Sequence, residues 1–159
     1  MGFGRDGRKA ARLLALAVVA LAACGSEAER PAAAPAAPAT TTQSLPDGGL
    51  RAITQAGRFV ITVRPEAGSI PIGPLHAWIV TVTRPDGRPA AVRQLVFDGG
   101  MPQHGHGFET APQVTAALGE GVFRVDGVRF HMAGAWKLRI DVAEAGSADV
   151  AYLDVDVVP

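Results

Sequence analysis

The chain has 159 residues, with 15 basic and 15 acidic side chains and a single cysteine. One cysteine excludes an internal disulfide framework and a zinc site built from several cysteines. No basic patch with interleaved aromatic residues is present in the sequence, so composition gives no support to a nucleic-acid-binding function.

The first 23 residues have the pattern of an export signal. Four basic residues precede an uninterrupted apolar run at residues 13–23. That run is too short for a membrane-spanning helix, which needs about 20 apolar residues. It has the length of the apolar core of a signal peptide, so we predict a signal peptide over residues 1–23.

The motif 21-LAAC-24 resembles the bacterial lipoprotein box, in which the cysteine is lipidated and becomes the first mature residue. We therefore predict lipidation of Cys24, which consumes the only thiol. The alternative is a chance cysteine at the end of the signal. Lipidation would anchor an exported protein to the lipid bilayer of a bacterial membrane, where it faces the periplasm or the cell exterior.

Residues 24–46 are predicted to form a linker, because they are rich in Pro, Ala and Thr and contain no aromatic residue. The prolines favour a semi-extended spacer. Without residues 1–23 the chain keeps 11 basic and 14 acidic side chains, a net charge near −3.

Residues 47–159 are long enough for one domain with its own core. Short segments of alternating apolar and polar residues, bounded by Gly, Pro or Asp, predict seven strands at residues 57–65, 76–84, 91–99, 121–127, 128–134, 135–143 and 148–157. Such spacing favours an all-β immunoglobulin-like β-sandwich without the inter-sheet disulfide. A small closed barrel is the alternative.

The connections are predicted from turn residues. Residues 84–88 are expected to close a hairpin, with Gly87 supplying the positive φ angle. Asp126-Gly127 and Ala133-Gly134 predict two further reversals. The one helical candidate is residues 112–121, one or two turns long.

The segment 101-MPQHGHGFET-110 gathers metal-ligating side chains among glycines. In an extended chain His104 and His106 would lie on the same side, and a turn at Pro102 could bring the Met101 sulfur to them. Imidazole suits copper and zinc while a thioether selects Cu(I), so this set predicts a copper site. The alternative is a glycine-rich crossover whose histidines only hydrogen-bond the loop.

Three more residues are candidates to complete the metal site. His76 is either a third nitrogen ligand or a strand-end histidine that bonds a backbone carbonyl. If residues 128–134 are a regular strand, His131 and Met132 point to opposite sides, so solvent exposure of His131 and core packing of Met132 are the alternatives. Glu109 either orients His106 as a hydrogen-bond acceptor behind the metal or lies free in a loop.

The sequence offers little for catalysis. Ser69 and Ser147 lie in turn-like contexts without a nucleophile motif, and Asp154 and Asp156 alternate on a predicted strand as on a solvated face. We expect a protein that is not an enzyme.

The chain also resembles a known family. Residues 101-MPQHGHG-107, 110-TAPQVT-115 and 119-GEGVFRVDGVRFHMAGAWKLRIDV-142 are similar to the motifs of the YtkA-like family, which is grouped near FixH-like proteins; Phe123 stands where the family usually has Tyr. The resemblance covers residues 57–157. It implies an immunoglobulin-like sandwich and copper handling in respiratory oxidase assembly, with a membrane-bound cuproprotein or oxidase assembly partner.

Two functions remain open at this point. In the first, the protein is a membrane-tethered envelope module that carries copper. In the second, it is a non-enzymatic interaction or scaffold domain of the envelope, and its histidines are structural.

Overall fold

A computed structural model describes residues 41–159 of the chain. The predicted signal peptide, Cys24 and the linker up to residue 40 lie outside the described residues. The described residues contain no helix. None of them therefore forms a helix that is long and apolar enough to span a bilayer.

Residues 41–159 form ten strands in two antiparallel sheets. The strands are β1 (Gln43–Ser44), β2 (Leu50–Ile53), β3 (Val60–Pro65), β4 (His76–Thr83), β5 (Gln94–Met101), β6 (His106–Gly107), β7 (Gln113–Gly119), β8 (Val122–Val128), β9 (Gly134–Glu144) and β10 (Ser147–Val157). A six-stranded sheet has the order β1-β2-β3-β4-β8-β7, and a four-stranded sheet has the order β10-β9-β5-β6.

The core lies between the two sheets. It is formed by the apolar residues that alternate with polar residues along the strands. Ile61 and Val63 of β3 are fully buried from one sheet, and Leu138 and Ile140 of β9 from the other. One continuous cluster of buried apolar side chains joins them. Successive side chains of a strand point to opposite faces, so one parity packs inward and the other meets solvent. The prediction of an all-β sandwich is confirmed, and the two sheets remain separate rather than closing into one barrel.

The predicted helix at residues 112–121 is wrong, because residues 113–119 form β7 instead. Ala116, Ala117 and Leu118 favour helix locally, but pairing with β8 satisfies the backbone of this segment from outside it. The predicted strand at 128–134 is also wrong: β8 ends at Val128 and β9 begins at Gly134, with only an isolated bridge from Phe130 to Ile72 between them.

The predicted turns are partly confirmed. Residues 84–88 do turn, with the Arg84 amide donating to the Arg88 carbonyl at 2.8 Å and Gly87 at φ 86°. A single bridge, between Thr83 and Pro89, pairs the two arms of this hairpin, because the chain then crosses to the other sheet and forms β5 there. No reversal occurs at Gly127. It lies inside β8 at φ 85°, near an irregularity in the register against β4.

The N-terminal end of the described chain is tied to both sheets. β1 lies within the segment predicted as linker and pairs with β2. The Asp154 amide of β10 donates to the Thr42 hydroxyl at 2.7 Å. Within residues 41–159, sheet structure therefore begins at Gln43.

A carboxylate clasp joins β10 to the loop that follows β2. Asp149 accepts hydrogen bonds from the amides of Ala56, at 3.1 Å, and Arg58, at 3.3 Å. Burial opposes the charged form, yet hydrogen bonds from the Thr54 hydroxyl and from these amides leave the pKa of Asp149 lowered. The clasp thus holds the two sheets together at the end remote from the histidine-rich segment.

Candidate functional site: a histidine hairpin at one end of the sandwich

The histidine-rich segment is a tight hairpin and not an extended chain. β5 and β6 pair at Gly100 with Gly107 and at Met101 with His106. Four turn residues, 102–105, connect them; the His104 amide donates to the Met101 carbonyl at 3.0 Å, and Gly105 takes φ 67°. The reversal, rather than alternation along a strand, therefore brings the two histidines to the same end of the sandwich. We call residues 101–107 the histidine hairpin.

Met101 faces the core. Its side chain is 2% exposed and belongs to the buried apolar cluster. A Cβ atom on Gly134 would lie 2.8 Å from the Met101 terminal methyl, so the glycine makes room for the thioether. Directly paired residues of an antiparallel ladder share one face. The side chains of Met101 and His106 therefore lie on the same, inner face of the sheet.

Three imidazole rings form a row at this end of the sandwich. The ring centres of His104 and His106 are 6.2 Å apart, and the rings are nearly parallel at 12°. The His131 ring centre lies 6.2 Å from that of His106, at an angle of 81°. His104 and His106 are exposed, whereas His131 is half-buried. The structure thus places His131 beside the hairpin although it is 25 positions later in the sequence.

His131 and Met132 lie on an irregular segment before β9. The His131 ring packs edge-on against Trp136 with 5.1 Å between ring centres, and its Nδ1 is buried without a partner among the described residues. The Trp136 indole donates to the Met132 carbonyl at 3.1 Å. No strand runs through residues 131–133, so the condition on which the two side chains were expected to point to opposite sides is not met. Met132 is 37% exposed, so its predicted core packing is wrong.

His76 lies apart from the row of three rings. Its Nδ1 is 3.2 Å from the Pro74 carbonyl, and its ring packs 5.6 Å from Phe130 and 6.3 Å from Trp78. Burial lowers the pKa of His76, and the contact with the Pro74 carbonyl opposes that shift only in part. These contacts are those of the strand-end histidine that the sequence offered as one of two alternatives.

Glu109 makes its contact away from the histidine rings. Its carboxylate lies 3.5 Å from the Arg129 guanidinium. Both side chains are about half exposed, so this ion pair contributes little to stability. The neighbouring Thr110 ties the segment that leaves β6 to β8, because its hydroxyl donates to the Gly127 carbonyl at 2.6 Å.

The donor groups at this end are close but not assembled into a cage. Across residues 41–159, no three His, Cys, Asp or Glu side chains form a group that could hold a metal ion as they stand. The arrangement instead offers an exposed pair of imidazoles, a third half-buried imidazole and the buried thioether of Met101, the ladder partner of His106. Side-chain rotation is needed before any of them could share one ion.

Sequence reasoning missed two features of this site. The contact between Trp136 and His131 depends on the irregular path of residues 129–134, for which no sequence pattern gave a signal. A shallow cavity of about 350 Å³ beside the hairpin was also missed; its lining includes Asp98, Lys137, Arg139 and Tyr152 from three different strands. Only the paired sheet brings those residues together.

The fold and the hairpin define a class, namely small all-β domains with a histidine hairpin at one end of a sandwich. The family model described as YtkA-like matches residues 54–141, which is more than half of the chain. The chain belongs to the YtkA-like family. No curated protein matches it, and a search of solved structures likewise gave no match.

Proposed function

We propose that this protein is a membrane-tethered, non-enzymatic module of the bacterial envelope that binds copper and passes it to a membrane-bound partner. The observation that carries the proposal is the row of rings formed by His104, His106 and His131, together with Met101 as the direct ladder partner of His106. Membership of the YtkA-like family is consistent with it.

The spacing of the rings suits a shared ion. Metal–nitrogen bonds are about 2.0–2.1 Å long, so two imidazoles on opposite sides of one ion have ring centres on the order of 6 Å apart. Both ring separations in the row are 6.2 Å. In this proposal, rotation of the exposed His104 and His106 side chains turns their ring nitrogens towards the ion.

The donor chemistry favours copper over harder cations. Imidazole binds copper and zinc alike, but a thioether is a soft ligand that selects Cu(I). Met101 is paired directly with His106 and offers one thioether. Met132 offers a second thioether on the segment that also carries His131.

An open site suits transfer. His104 is exposed on the four-residue turn and His106 is exposed at the start of β6, so a partner's ligands could reach the ion from solvent. A closed four-ligand cage would retain the ion instead. Lipidation at Cys24 and the following spacer would confine the module near a partner in the same membrane and raise its effective concentration there.

Copper titration tests the proposal. The fragment comprising residues 41–159 retains both sheets and the Thr42 contact, and it is titrated with Cu(I) in the presence of a competing chelator. We expect one saturable site in the wild type and its loss in a His104→Ala/His106→Ala double variant. A Gln103→Ala variant is the matched control, because Gln103 lies exposed in the same turn and bears no imidazole.

The rival function makes the opposite forecast. If the histidines are structural and the sandwich is an interaction or scaffold domain, wild type and double variant will bind Cu(I) equally weakly. The contacts of His76 with Pro74, Trp78 and Phe130 favour a structural role for that histidine alone. His76 is therefore left unchanged in the copper experiment.

A further inference from the structure

The ring of His76, at the start of β4, has one bonded and one unbonded nitrogen. Its Nδ1 lies 3.2 Å from the Pro74 carbonyl, and a carbonyl only accepts, so Nδ1 carries the proton of the neutral ring. Its Nε2 is buried and has no hydrogen-bond partner among residues 41–159. A second proton would place both a donor and a positive charge at this buried nitrogen, which is costly without an acceptor.

The side chains packed on the His76 ring are aromatic. The ring centres of Phe130 and Trp78 lie 5.6 Å and 6.3 Å from that of His76. β4 has no other residue that titrates. The segment 129–133, which includes Phe130, carries Arg129 and His131 as its titratable residues.

The charged groups beside His76 are already bound to one another. A cavity of about 470 Å³ is lined by His76 together with Glu66, Arg124 and Asp126. The Arg124 guanidinium donates to Glu66 at 3.0 Å and to Asp126 at 2.7 Å. Both carboxylates therefore have a cation as their partner, and the buried Nε2 of His76 has neither of them.

Residues 72–76 hold the segment that leads to His131. The Gly73 amide donates to the Phe130 carbonyl at 2.8 Å, and the Arg129 Nε donates to the Gly73 carbonyl at 2.7 Å. His76 is also the ladder partner of Val128, the last residue of β8. His131 follows Phe130 directly in the chain. The contacts of residues 72–76 therefore help to fix where His131 lies relative to the histidine hairpin.

We propose that His76 is a positioning residue whose neutral ring keeps residues 72–76 closed on residues 128–130, and that protonation of Nε2 by solvent in acid opens this contact. The charged ring then leaves Phe130 for water, and the bond between Gly73 and Phe130 breaks. This opening is a property of the metal-free chain. Its consequence for copper, a weaker contribution from His131 in acid, rests on the proposed function.

The direction of the pH dependence follows from linkage. Burial lowers the pKa of folded His76 from its ordinary value of 6.5, and the contact with the Pro74 carbonyl opposes that shift only in part. The closed form thus binds fewer protons than the open form, so closure is fully favoured above pH 6.5 and weakens as pH falls towards the folded pKa. At about pH 5.5 an open ring with the ordinary pKa is charged about ten times more often than neutral, so opening increases by up to about tenfold.

Amide hydrogen exchange on the metal-free fragment comprising residues 41–159 tests the inference. We expect the protection factor of the Gly73 amide to fall by up to about tenfold between about pH 7.5 and pH 5.5 in the wild type. In His76→Asn this fall should vanish, because the side-chain amide can still donate to the Pro74 carbonyl but does not titrate. His104→Asn is the matched control: it removes an exposed histidine and should keep the fall seen in the wild type.

Two further measurements separate local opening from unfolding and from a variant that fails to fold. The amides of β9, a strand paired on both sides, should keep their protection over the same interval. In the wild type, NMR titration of the His76 ring should give a midpoint below 6.5, and the ring signals of Phe130 should move with the same midpoint.

Four results would overturn the inference. They are a Gly73 protection factor that does not change with pH in the wild type, a fall that persists in folded His76→Asn, an equal loss of protection in β9, and a His76 midpoint at or above 6.5. None of these measurements involves copper. A failed copper titration would therefore leave this inference standing, and the reverse also holds.

Discussion

Met101 and His106 are direct partners across the β5–β6 ladder, and yet one is buried in the core at 2% exposure while the other is exposed. Two roles of the Met101 thioether, core packing and the proposed metal binding, therefore have to be tested separately. Met101→Leu keeps the apolar volume and removes the sulfur. We expect the free energy of unfolding to change by less than about 1.5 kcal/mol, as for volume-conserving core substitutions. Cu(I) affinity should fall by about tenfold or more, because the soft donor is lost.

Urea unfolding and chelator competition on the same protein measure the two effects of Met101→Leu. The Met132→Leu variant is the matched comparison, since Met132 is 37% exposed and lies on the segment with His131. An unchanged Cu(I) affinity in Met101→Leu would assign Met101 to the core alone.

Gly100 should be indispensable for the histidine hairpin. A Cβ atom at this position would lie 2.4 Å from the His106 carbonyl oxygen, a backbone atom that cannot move without breaking the ladder. We expect Gly100→Ala to lower the free energy of unfolding by about 1–3 kcal/mol, as overpacking does. Gly107→Ala is the control, because its nearest neighbouring atom would be 3.7 Å away. Equal unfolding midpoints in urea for the two variants would contradict this account.

The Asp149 clasp predicts a dependence of stability on acid. The pKa of Asp149 is lowered in the folded state from an ordinary value of 3.8, so the folded state binds fewer protons than the unfolded state. Its contribution to stability is present above pH 3.8 and is lost as pH falls through the folded pKa. Asp149→Asn should therefore cost about 1–2 kcal/mol at neutral pH, through weaker hydrogen bonds to the amides, and less at strongly acidic pH.

Thermal or urea unfolding of Asp149→Asn against pH measures this difference. Asp156→Asn serves as the control, since Asp156 is exposed on the same strand. A deficit in Asp149→Asn that is equal at neutral and at strongly acidic pH would show that the clasp does not depend on the charge of the carboxylate.

Copper affinity should fall in acid if the imidazoles are ligands. Protons compete with metal for the ring nitrogen, so binding of the ion releases protons and weakens as pH falls. We expect the Cu(I) affinity of the wild type to drop between about pH 7 and pH 5. An affinity that stays flat over this interval would argue for a site built from thioethers alone.

The sequence correctly predicted the strands in which apolar and polar residues alternate regularly. It failed for segments whose secondary structure depends on the strand they pair with. Ile61 and Val63 alternate with polar residues and so identify β3 without tertiary information. Residues 116–118 favour helix by propensity, and only their pairing with β8 makes them β7. Likewise, Phe97 marks β5 as a strand, but nothing local indicates that it pairs with β9 rather than with β4.

The candidate site divides in the same way. The motif around His104 and His106 was visible in the sequence because two histidines two positions apart among glycines are a local pattern. The ring of His131 was not recognised as a neighbour, because residues 129–133 lie outside the ten strands and only the folded chain brings His131 against Trp136 and His106. The burial of Met101 also depends on the second sheet, which closes over the inner face of β5.

The turn that joins β9 to β10 offers a place for a reporter. Its Gly146 has φ 76°, and a Cβ atom added there would meet no neighbouring atom within 4 Å. β9 begins beside the histidine hairpin and rises about 3.3 Å per residue, so this turn is roughly 33 Å away from the site. A fluorophore attached at Ala145 would therefore follow tumbling, diffusion and encounter with a partner while leaving the ion-binding end free of label.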